Sequence, residues 1–201
     1  MNKNINYNDI GIFIVSCDAT SDILHHFLLA YKKFNLFKSS VFIGSNGNKV
    51  YKKLNYSKPI ISKKSNWRTE TLDQIIQIKR KYKKKKLILF LDDFILESVD
   101  KNRLYDAIDF SLKKNIKYLT LREQKFSFFE KFFFGFQNKS EFLKISKNYP
   151  YYSSLQVSIW DIDYLIQCLK KQISIWEFER LKSKYKHYAV KNTVIKYKHI
   201  V

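Results

Sequence analysis

Cysteine, proline and glycine are scarce in this chain of 201 residues, which contains two, two and four of them. Neither Cys17 nor Cys168 has a second cysteine or a histidine at ligand spacing, which argues against a disulfide framework and a zinc site. Because so little glycine and proline is combined with 17% aromatic residues, the composition also excludes a disordered chain. We therefore expect a compact protein in a reducing compartment.

Long apolar runs are missing as well. No stretch approaches the ~18 consecutive apolar residues of a membrane-spanning helix, and the amino terminus has no cleavage site of small residues. We expect a cytoplasmic protein, with peripheral association at the inner face of the cytoplasmic membrane as a further expectation. A hydrophobic content of 45% suits one core of ordinary size, so residues 1–201 are expected to form a single domain.

Acidic residues are few beside the basic ones, 18 against 38, which leaves a formal net charge of +20. Such a surface attracts anionic partners such as nucleotide diphosphates, nucleic acids or an acidic membrane surface. The densest basic run, Lys79–Lys86, lies between an amphipathic helical pattern and an apolar strand-like run. We interpret it as a solvated helix end, with attraction to a membrane surface as the alternative.

Strand-like apolar runs alternate with amphipathic helical patterns over the first two thirds of the chain. Strands are predicted at Ile10–Ser16, Ser40–Gly44, Leu87–Leu91 and Ile116–Leu121, and helices from Thr20 or Ser21, at Trp67–Tyr82 and at Lys101–Lys114. This alternation predicts an α/β fold with a mainly parallel, Rossmann-type sheet and helices on both faces. The aromatic segment Phe126–Phe136 is interpreted as a membrane-facing or lipid-acceptor element, or else as part of the core or of a dimer contact.

Acidic residues follow two of the predicted strands at the point where each strand ends. Asp18 lies just beyond the first strand, and Asp92 and Asp93 follow the most apolar one. Ligands of such sheets bind at the carboxyl ends of the strands, and two adjacent carboxylates suit Mg²⁺ or Mn²⁺ bridging a diphosphate. In the alternative interpretation, one carboxylate caps a turn or helix and the other is solvated.

Four stretches in a fixed order carry a family resemblance, over roughly residues 10–182: VSCD, NWRTETLDQI, LILFLDDF with VD after it, and SLQVSIW followed by SIWEFE. In this order and spacing the chain resembles bacterial GT-A-type glycosyltransferases that build surface polysaccharides such as lipopolysaccharide and capsule. The resemblance implies a metal-dependent, inverting transfer of sugar from a nucleotide-sugar donor to a saccharide or lipid-linked acceptor. It also implies a nucleotide-binding half at about 8–122 and an acceptor-side half at about 123–201.

The resemblance implies specific roles on the donor side. Asp18 is expected near the base or ribose, Asp92 in the metal and ribose site, and Asp93 as the direct ligand of a Mn²⁺ or Mg²⁺ ion. Trp67 is expected beside the donor pocket, with simple burial as the alternative. These roles make Asp93 the residue on which the predicted enzyme most depends.

On the acceptor side, the resemblance points to Gln156, Trp160 and Trp176 as residues that shape the sugar or acceptor site, although Trp160 fits equally well as a core anchor. Glu179, with Glu177 second, is expected to take the proton of the acceptor hydroxyl, the role that inversion requires. The alternative is that either glutamate only stabilises a helix amino terminus.

Two other classes remain open. A nucleic-acid-binding module would use the +20 charge with exposed aromatic side chains, but the lysines are spread along the chain and no recognised binding motif is present, so no nucleic-acid partner is expected. A non-catalytic scaffold would keep the fold without needing the carboxylates. No catalytic or metal-binding role is expected for His25, His26, His187 or His199, because none has a ligand at metal spacing.

Overall fold

The computed structural model describes residues 6–34, 36, 40–47, 57–124, 140–149, 151–171 and 173–200. The segment Phe126–Phe136 lies outside them. The strands are β1 (Ile10–Val15), β2 (Val41–Ser45), β3 (Ser57–Ile61), β4 (Lys86–Leu91), β5 (Phe94–Val99), β6 (Tyr118–Thr120), β7 (Phe142–Lys144), β8 (Ser158–Asp161), β9 (Tyr188–Val190) and β10 (Ile195–His199). The helices are α1 (Ser21–Phe34), α2 (Trp67–Tyr82), α3 (Lys101–Lys113), α4 (Ile162–Leu169) and α5 (Ile175–Glu179).

Eight of these strands form one sheet in the order β3-β2-β1-β4-β8-β6-β9-β7. Strands β3, β2, β1 and β4 run parallel to one another, and β9 is parallel to β6. Strand β8 is antiparallel to both β4 and β6 and lies between them. The strands β1 and β4 are buried along almost their whole length, which explains their continuous apolar sequences.

Helices cover both faces of the sheet. On one face, α1 and α3 bury residues such as Phe27 and Ile108 against the sheet, and on the other face α2 and α4 bury residues such as Ile78 and Leu165. Helix α2 begins at Trp67 because the Asn66 side chain accepts a hydrogen bond from the Thr69 N–H at 3.0 Å. In the described part of the chain, no helix is long and apolar enough to cross a membrane.

The predicted α/β class, with a mainly parallel Rossmann-type sheet and helices on both faces, is confirmed. The predicted strands and helices are present with bounds that differ by one or two residues. The sequence did not indicate the antiparallel strand β8 or the second sheet, in which β5 pairs with β10. Both depend on pairing between residues far apart in the chain, which local periodicity does not report.

The interpretation of the basic run Lys79–Lys86 is correct only in part. Its first residues form the exposed end of α2, but Lys84 and Lys86 are buried. The ammonium of Lys86 donates to the carbonyl of Ile116 and lies 3.3 Å from Asp161 Oδ2. These partners from distant segments allow a charged side chain to be buried.

Candidate functional site

The predicted acidic residues meet at the edge of the sheet where β1, β2 and β4 end. The Asp92 N–H donates to the carbonyl of Val15 at 3.2 Å, which continues the pairing of β4 with β1 by one residue. The Asp92 carboxylate then accepts a hydrogen bond from the Thr20 hydroxyl at 2.6 Å. Since Thr20 belongs to the short 3-10 turn after β1, this contact joins the ends of the two strands directly.

Asp92 is nearly buried, with 7% of its surface exposed. Burial raises the pKa of its carboxyl, and the neighbouring Asp93 charge adds to this effect, while the hydrogen bond from Thr20 opposes it. The charged form of Asp92 is therefore disfavoured by its poorly solvated surroundings. A cation nearby would favour that charged form.

The side chain of Asp93 is oriented by His199, for which the sequence predicted no catalytic or metal-binding role. The Nε2–H of His199 donates to Asp93 Oδ2 at 2.8 Å. The other oxygen, Asp93 Oδ1, is buried and has no hydrogen-bond partner among the residues described. The carboxylate is thus held through one oxygen, while its second oxygen is buried with its hydrogen-bonding capacity unused by the described residues.

The small sheet of β5 and β10 brings His199 to this position. Its ladder pairs His199 with Phe94, the residue after Asp93. Phe94 also stacks on Tyr197 with ring centroids 4.3 Å apart, and the Arg122 guanidinium donates to the Tyr197 hydroxyl at 2.9 Å. A positively charged group therefore lies against Tyr197, the residue that stacks on Phe94 next to the acidic pair, and no spacing in the sequence indicated it.

Asp18 is tied to the end of the neighbouring strand β2. Its N–H donates to Asn46 Oδ1 at 2.9 Å, and its Oδ1 accepts from the Ser45 hydroxyl at 2.7 Å. A Cβ placed on Gly47 would lie 1.9 Å from Asp18 Oδ2, so any larger residue there would displace this carboxylate. The structure thus brings Asp18 and Asp92 to the same edge, on the ends of adjacent parallel strands.

The two candidate glutamates differ in what they contact. Glu179 Oε1 accepts from the Ser154 hydroxyl at 3.0 Å and from the Leu155 N–H at 3.2 Å. Glu177 Oε2 instead accepts from the N–H and the hydroxyl of Ser174 at 2.7 and 2.8 Å. The Glu177 N–H donates in turn to Ser174 Oγ at 3.2 Å, which completes the capping box of α5. The hydrogen bonds from Ser174 lower the pKa of Glu177.

Glu179 and Asp93 both act on Tyr197, whose ring stacks on Phe94. The pKa of Tyr197 is raised, first by burial, and the charges of Asp93 and Glu179 contribute to the increase while Arg122 opposes it. The carboxylate of Glu177 instead forms part of the amino-terminal cap of α5.

The tryptophans and Gln156 are placed very differently. Trp160 is completely buried in β8, where its Nε1–H donates to the Ser158 hydroxyl at 2.9 Å. Of the two roles that the sequence allowed for Trp160, the structure shows the core anchor. Trp67 packs edge-on against Phe178 and lines a small apolar cavity of about 120 Å³. Gln156 is exposed, and Trp176 has 68% of its surface exposed.

The residues at this edge fit a divalent cation that is completed by its substrate. Nowhere in the described ranges do three His, Cys, Asp or Glu side chains gather into a metal cage. Magnesium, however, is commonly bound through one or two carboxylates together with substrate phosphates and water. The buried Asp93 Oδ1, which has no hydrogen-bond partner among the described residues, is the oxygen at this edge that such a cation would satisfy.

The fold is GT-A-like and Rossmann-type, and two solved structures of one protein share it. Residues 1–349 of Staphylococcus aureus TarS superpose with a TM-score of 0.58 at 11% identity, over 94% of this chain and 59% of that one. A longer S. aureus TarS structure gives a TM-score of 0.57 at 12% identity, over 96% and 37% of the two chains. The chain thus spans little more than half of the shorter TarS structure.

A cytidylyltransferase from Leptospira borgpetersenii serovar Hardjo-bovis matches more distantly. Its TM-score is 0.47 at 16% identity, over 85% of this chain and 68% of that one. No protein-family model and no curated protein sequence matches the chain. The similarity to solved structures therefore establishes the fold, and the chemistry must be argued from the site.

Proposed function

We propose that the chain is a glycosyltransferase that moves a sugar from a nucleotide-sugar donor to an acceptor, with a divalent cation bound at Asp93. One observation carries the proposal. Asp93 Oδ1 is a buried carboxylate oxygen with no hydrogen-bond partner among the described residues, at the carboxyl end of the central strand. In sheets of this kind the ligand crevice lies at that edge.

Each residue of the edge has a role in this proposal. Asp93 binds the Mn²⁺ or Mg²⁺ ion through Oδ1, and His199 positions it through Oδ2. Asp92, fixed by Thr20, adds negative charge beside the cation and contacts the ribose. Asp18, fixed at the end of β2, contacts the ribose or the base of the donor. The cation would neutralise the charge that develops on the departing diphosphate.

Glu179 is the proposed base of an inverting reaction. Its Oε1 is held by two donors, Ser154 and Leu155, so the carboxylate has a fixed orientation. Its Oε2 makes no hydrogen bond within the described residues and is therefore free to accept the proton of an acceptor hydroxyl. Glu177 is the second choice, because using it as a base would break the capping box of α5.

The acceptor side is proposed to lie around the exposed Gln156 and Trp176, with a saccharide or a lipid-linked saccharide as acceptor. An exposed indole offers an apolar face on which a sugar ring can stack. The neighbour TarS is a teichoic acid glycosyltransferase, which supports a role for this chain in bacterial surface polysaccharide synthesis. Lipopolysaccharide and capsule are the proposed products, and the inner face of the cytoplasmic membrane is the proposed place.

A thermal-shift screen tests the proposal. UDP-, GDP-, dTDP- and CMP-sugars are added with Mn²⁺, with Mg²⁺ or with EDTA, because a ligand that binds only the folded state raises its stability. We expect one nucleotide class to raise the melting temperature only when the metal is present. Asp93→Asn should abolish that shift, and Asp106→Asn, an exposed carboxylate on α3, should preserve it. A metal-dependent shift of normal size in Asp93→Asn would rule out the proposed site.

A further inference from the structure

The basic run contributes to a groove at the opposite edge of the sheet from the candidate site. The groove has a volume of about 1360 Å³ and lies between the end of α2, the helix α4 and the segments that lead into β4 and β6. Its lining includes nine basic and three acidic residues. Because Lys86 begins β4 and Leu91 ends it, the groove lies about 20 Å from the acidic pair.

The three acidic residues of the groove are already paired. Asp163 pairs with Lys79, and Asp9 pairs with Lys85 at 2.9 Å. Asp161 is shared by two lysines, Lys86 and Lys117, at 3.3 and 2.9 Å.

Other cations of the groove lack such a partner. Arg80, Lys83 and Lys170 form no ion pair within the described residues. The groove therefore carries several positive charges that no carboxylate of the described chain neutralises.

Two buried lysines lie beneath these exposed ones. Lys84 donates to the carbonyl of Asn8 at 2.7 Å, and Lys86 donates to the carbonyl of Ile116. Burial lowers the pKa of both ammonium groups; Lys117, which also lines the groove, adds to the effect at Lys86, while Asp161 opposes it. An anion in the groove would relieve this accumulation of positive charge, which in the poorly solvated floor is more costly than at the surface.

The backbone at the groove contains a further feature. Lys83 and Asn115 have φ angles of 54° and 48°, and they are the non-glycine residues with positive φ in the described ranges. Both line the groove. Lys83 ends α2 at a position where glycine is the favoured residue, so the chain has a cation where an uncharged residue would be more stable.

We propose that this groove binds a linear polymer of phosphate groups that carries no aromatic bases. The site is larger than a typical small-molecule pocket of roughly 300–1,000 Å³, so a single small anion would fill only part of it. Its concave shape does not suit the flat surface of a membrane. None of the described residues that line it is aromatic, whereas proteins bind single-stranded nucleic acid largely by stacking bases on aromatic rings.

This proposal is independent of the proposed glycosyltransferase activity, because it uses none of the residues at the carboxyl edge. The probe is fluorescently labelled inorganic polyphosphate, and its binding to the full chain is followed by fluorescence anisotropy in EDTA. We expect binding that weakens with salt by a slope of about −0.7 in log K against log salt for each phosphate contacted. Asp93→Asn should bind the probe as the unmodified protein does.

Two triple variants test the position of the site. Arg80→Gln, Lys83→Gly and Lys170→Gln together should lower the affinity about tenfold or more and reduce the salt slope by about 2. Lys144→Gln, Lys182→Gln and Lys191→Gln remove the same charge from exposed positions outside the groove. We expect this control to change the affinity by less than about threefold.

A pair of single glycine variants separates charge from folding. Lys83→Gly and Asn115→Gly both relieve a positive φ angle, so both should keep or raise the melting temperature. Only Lys83→Gly removes a charge, and only it should weaken polyphosphate binding. Equal loss of affinity in the control triple variant would overturn the proposal. So would displacement of the probe by a nucleotide diphosphate with Mn²⁺, or tighter binding to polyuridylate or to phosphatidylserine vesicles.

Discussion

His199 Nε2 lies 2.8 Å from Asp93 Oδ2, although the two residues are 106 positions apart in the chain. The contact arises because β10 pairs with β5, which starts immediately after Asp93. One carboxylate oxygen is thereby fixed, while the other is buried without a partner among the described residues. This arrangement gives His199 a positioning role that can be measured.

Replacing His199 should weaken metal binding without removing the metal ligand. We expect His199→Ala to lower the Mn²⁺ affinity by about 10- to 100-fold, the usual effect of losing a group that orients a ligand. His199→Gln keeps a hydrogen-bond donor and should recover part of the loss. Isothermal titration calorimetry of Mn²⁺ in the presence of the nucleotide measures both affinities.

His26→Ala, at an exposed position on α1, is the control and should bind Mn²⁺ normally. Equal affinity in His199→Ala and the unmodified protein would remove the positioning role.

The buried His187 should make stability depend on pH. Its Nδ1–H donates to the Tyr152 carbonyl at 2.8 Å, and its Nε2 accepts from the Tyr164 hydroxyl at 3.0 Å, so the folded state holds the neutral ring. Burial lowers its pKa from 6.5 to about 4. Between these pH values the unfolded chain binds a proton that the folded chain does not. The free energy of unfolding should therefore fall as the pH decreases from 6.5 to 4, by roughly 3 kcal/mol in total.

Urea denaturation at pH 7 and pH 5 measures this dependence. His187→Gln removes the titrating group, so its free energy of unfolding should change less between the two pH values than that of the unmodified protein. The exposed His26 provides the comparison, since His26→Gln should keep the full dependence. An unchanged dependence in His187→Gln would show that other groups cause it.

Replacing Trp160 with alanine should strongly lower stability, whereas replacing Trp176 should leave stability nearly unchanged. Trp160 is fully buried, with its ring 4.6 Å from that of Tyr118 and 5.8 Å from that of Phe178. Trp160→Ala should cost about 3–5 kcal/mol of unfolding free energy. Trp176→Ala should change stability by less than about 0.5 kcal/mol and should raise the KM for the acceptor. Denaturation curves and acceptor kinetics test the pair, and a stable Trp160→Ala protein with altered acceptor use would contradict the assignment to the core.

Local sequence was sufficient for the parts of the site that belong to one strand end. LILFL is apolar throughout because β4 is buried on both faces, and the two aspartates follow directly at the carboxyl end of that strand. Parallel strands share their carboxyl edge, so Asp18 could be expected beside Asp92 once β1 and β4 were recognised. The fold class followed from the same alternation of strands and helices.

Long-range pairing determined what local sequence could not predict. His199 lies in a basic carboxyl-terminal segment with no ligand at metal spacing, and only the ladder of β5 and β10 brings it to Asp93. Lys86 resembles a solvated residue of a lysine run, yet Asp161 from β8 pairs with it in the interior. The sequence allowed Trp160 either in the core or at the sugar site, because the residues around a tryptophan before a helix do not show whether its ring is buried or faces a ligand.

The two glutamates of α5 offer the sharpest test of the catalytic proposal. Glu179→Gln keeps an oxygen that can accept from Ser154 and Leu155, so the local structure should persist while the base is lost. We expect kcat to fall by about 10²- to 10⁴-fold, with the metal-dependent thermal shift by the donor unchanged. Glu177→Gln should cost at most about 1 kcal/mol of stability through the cap and leave kcat within a factor of about three. If Glu177→Gln lost the activity and Glu179→Gln kept it, the two roles would be exchanged, and the cap of α5 would have to open during the reaction.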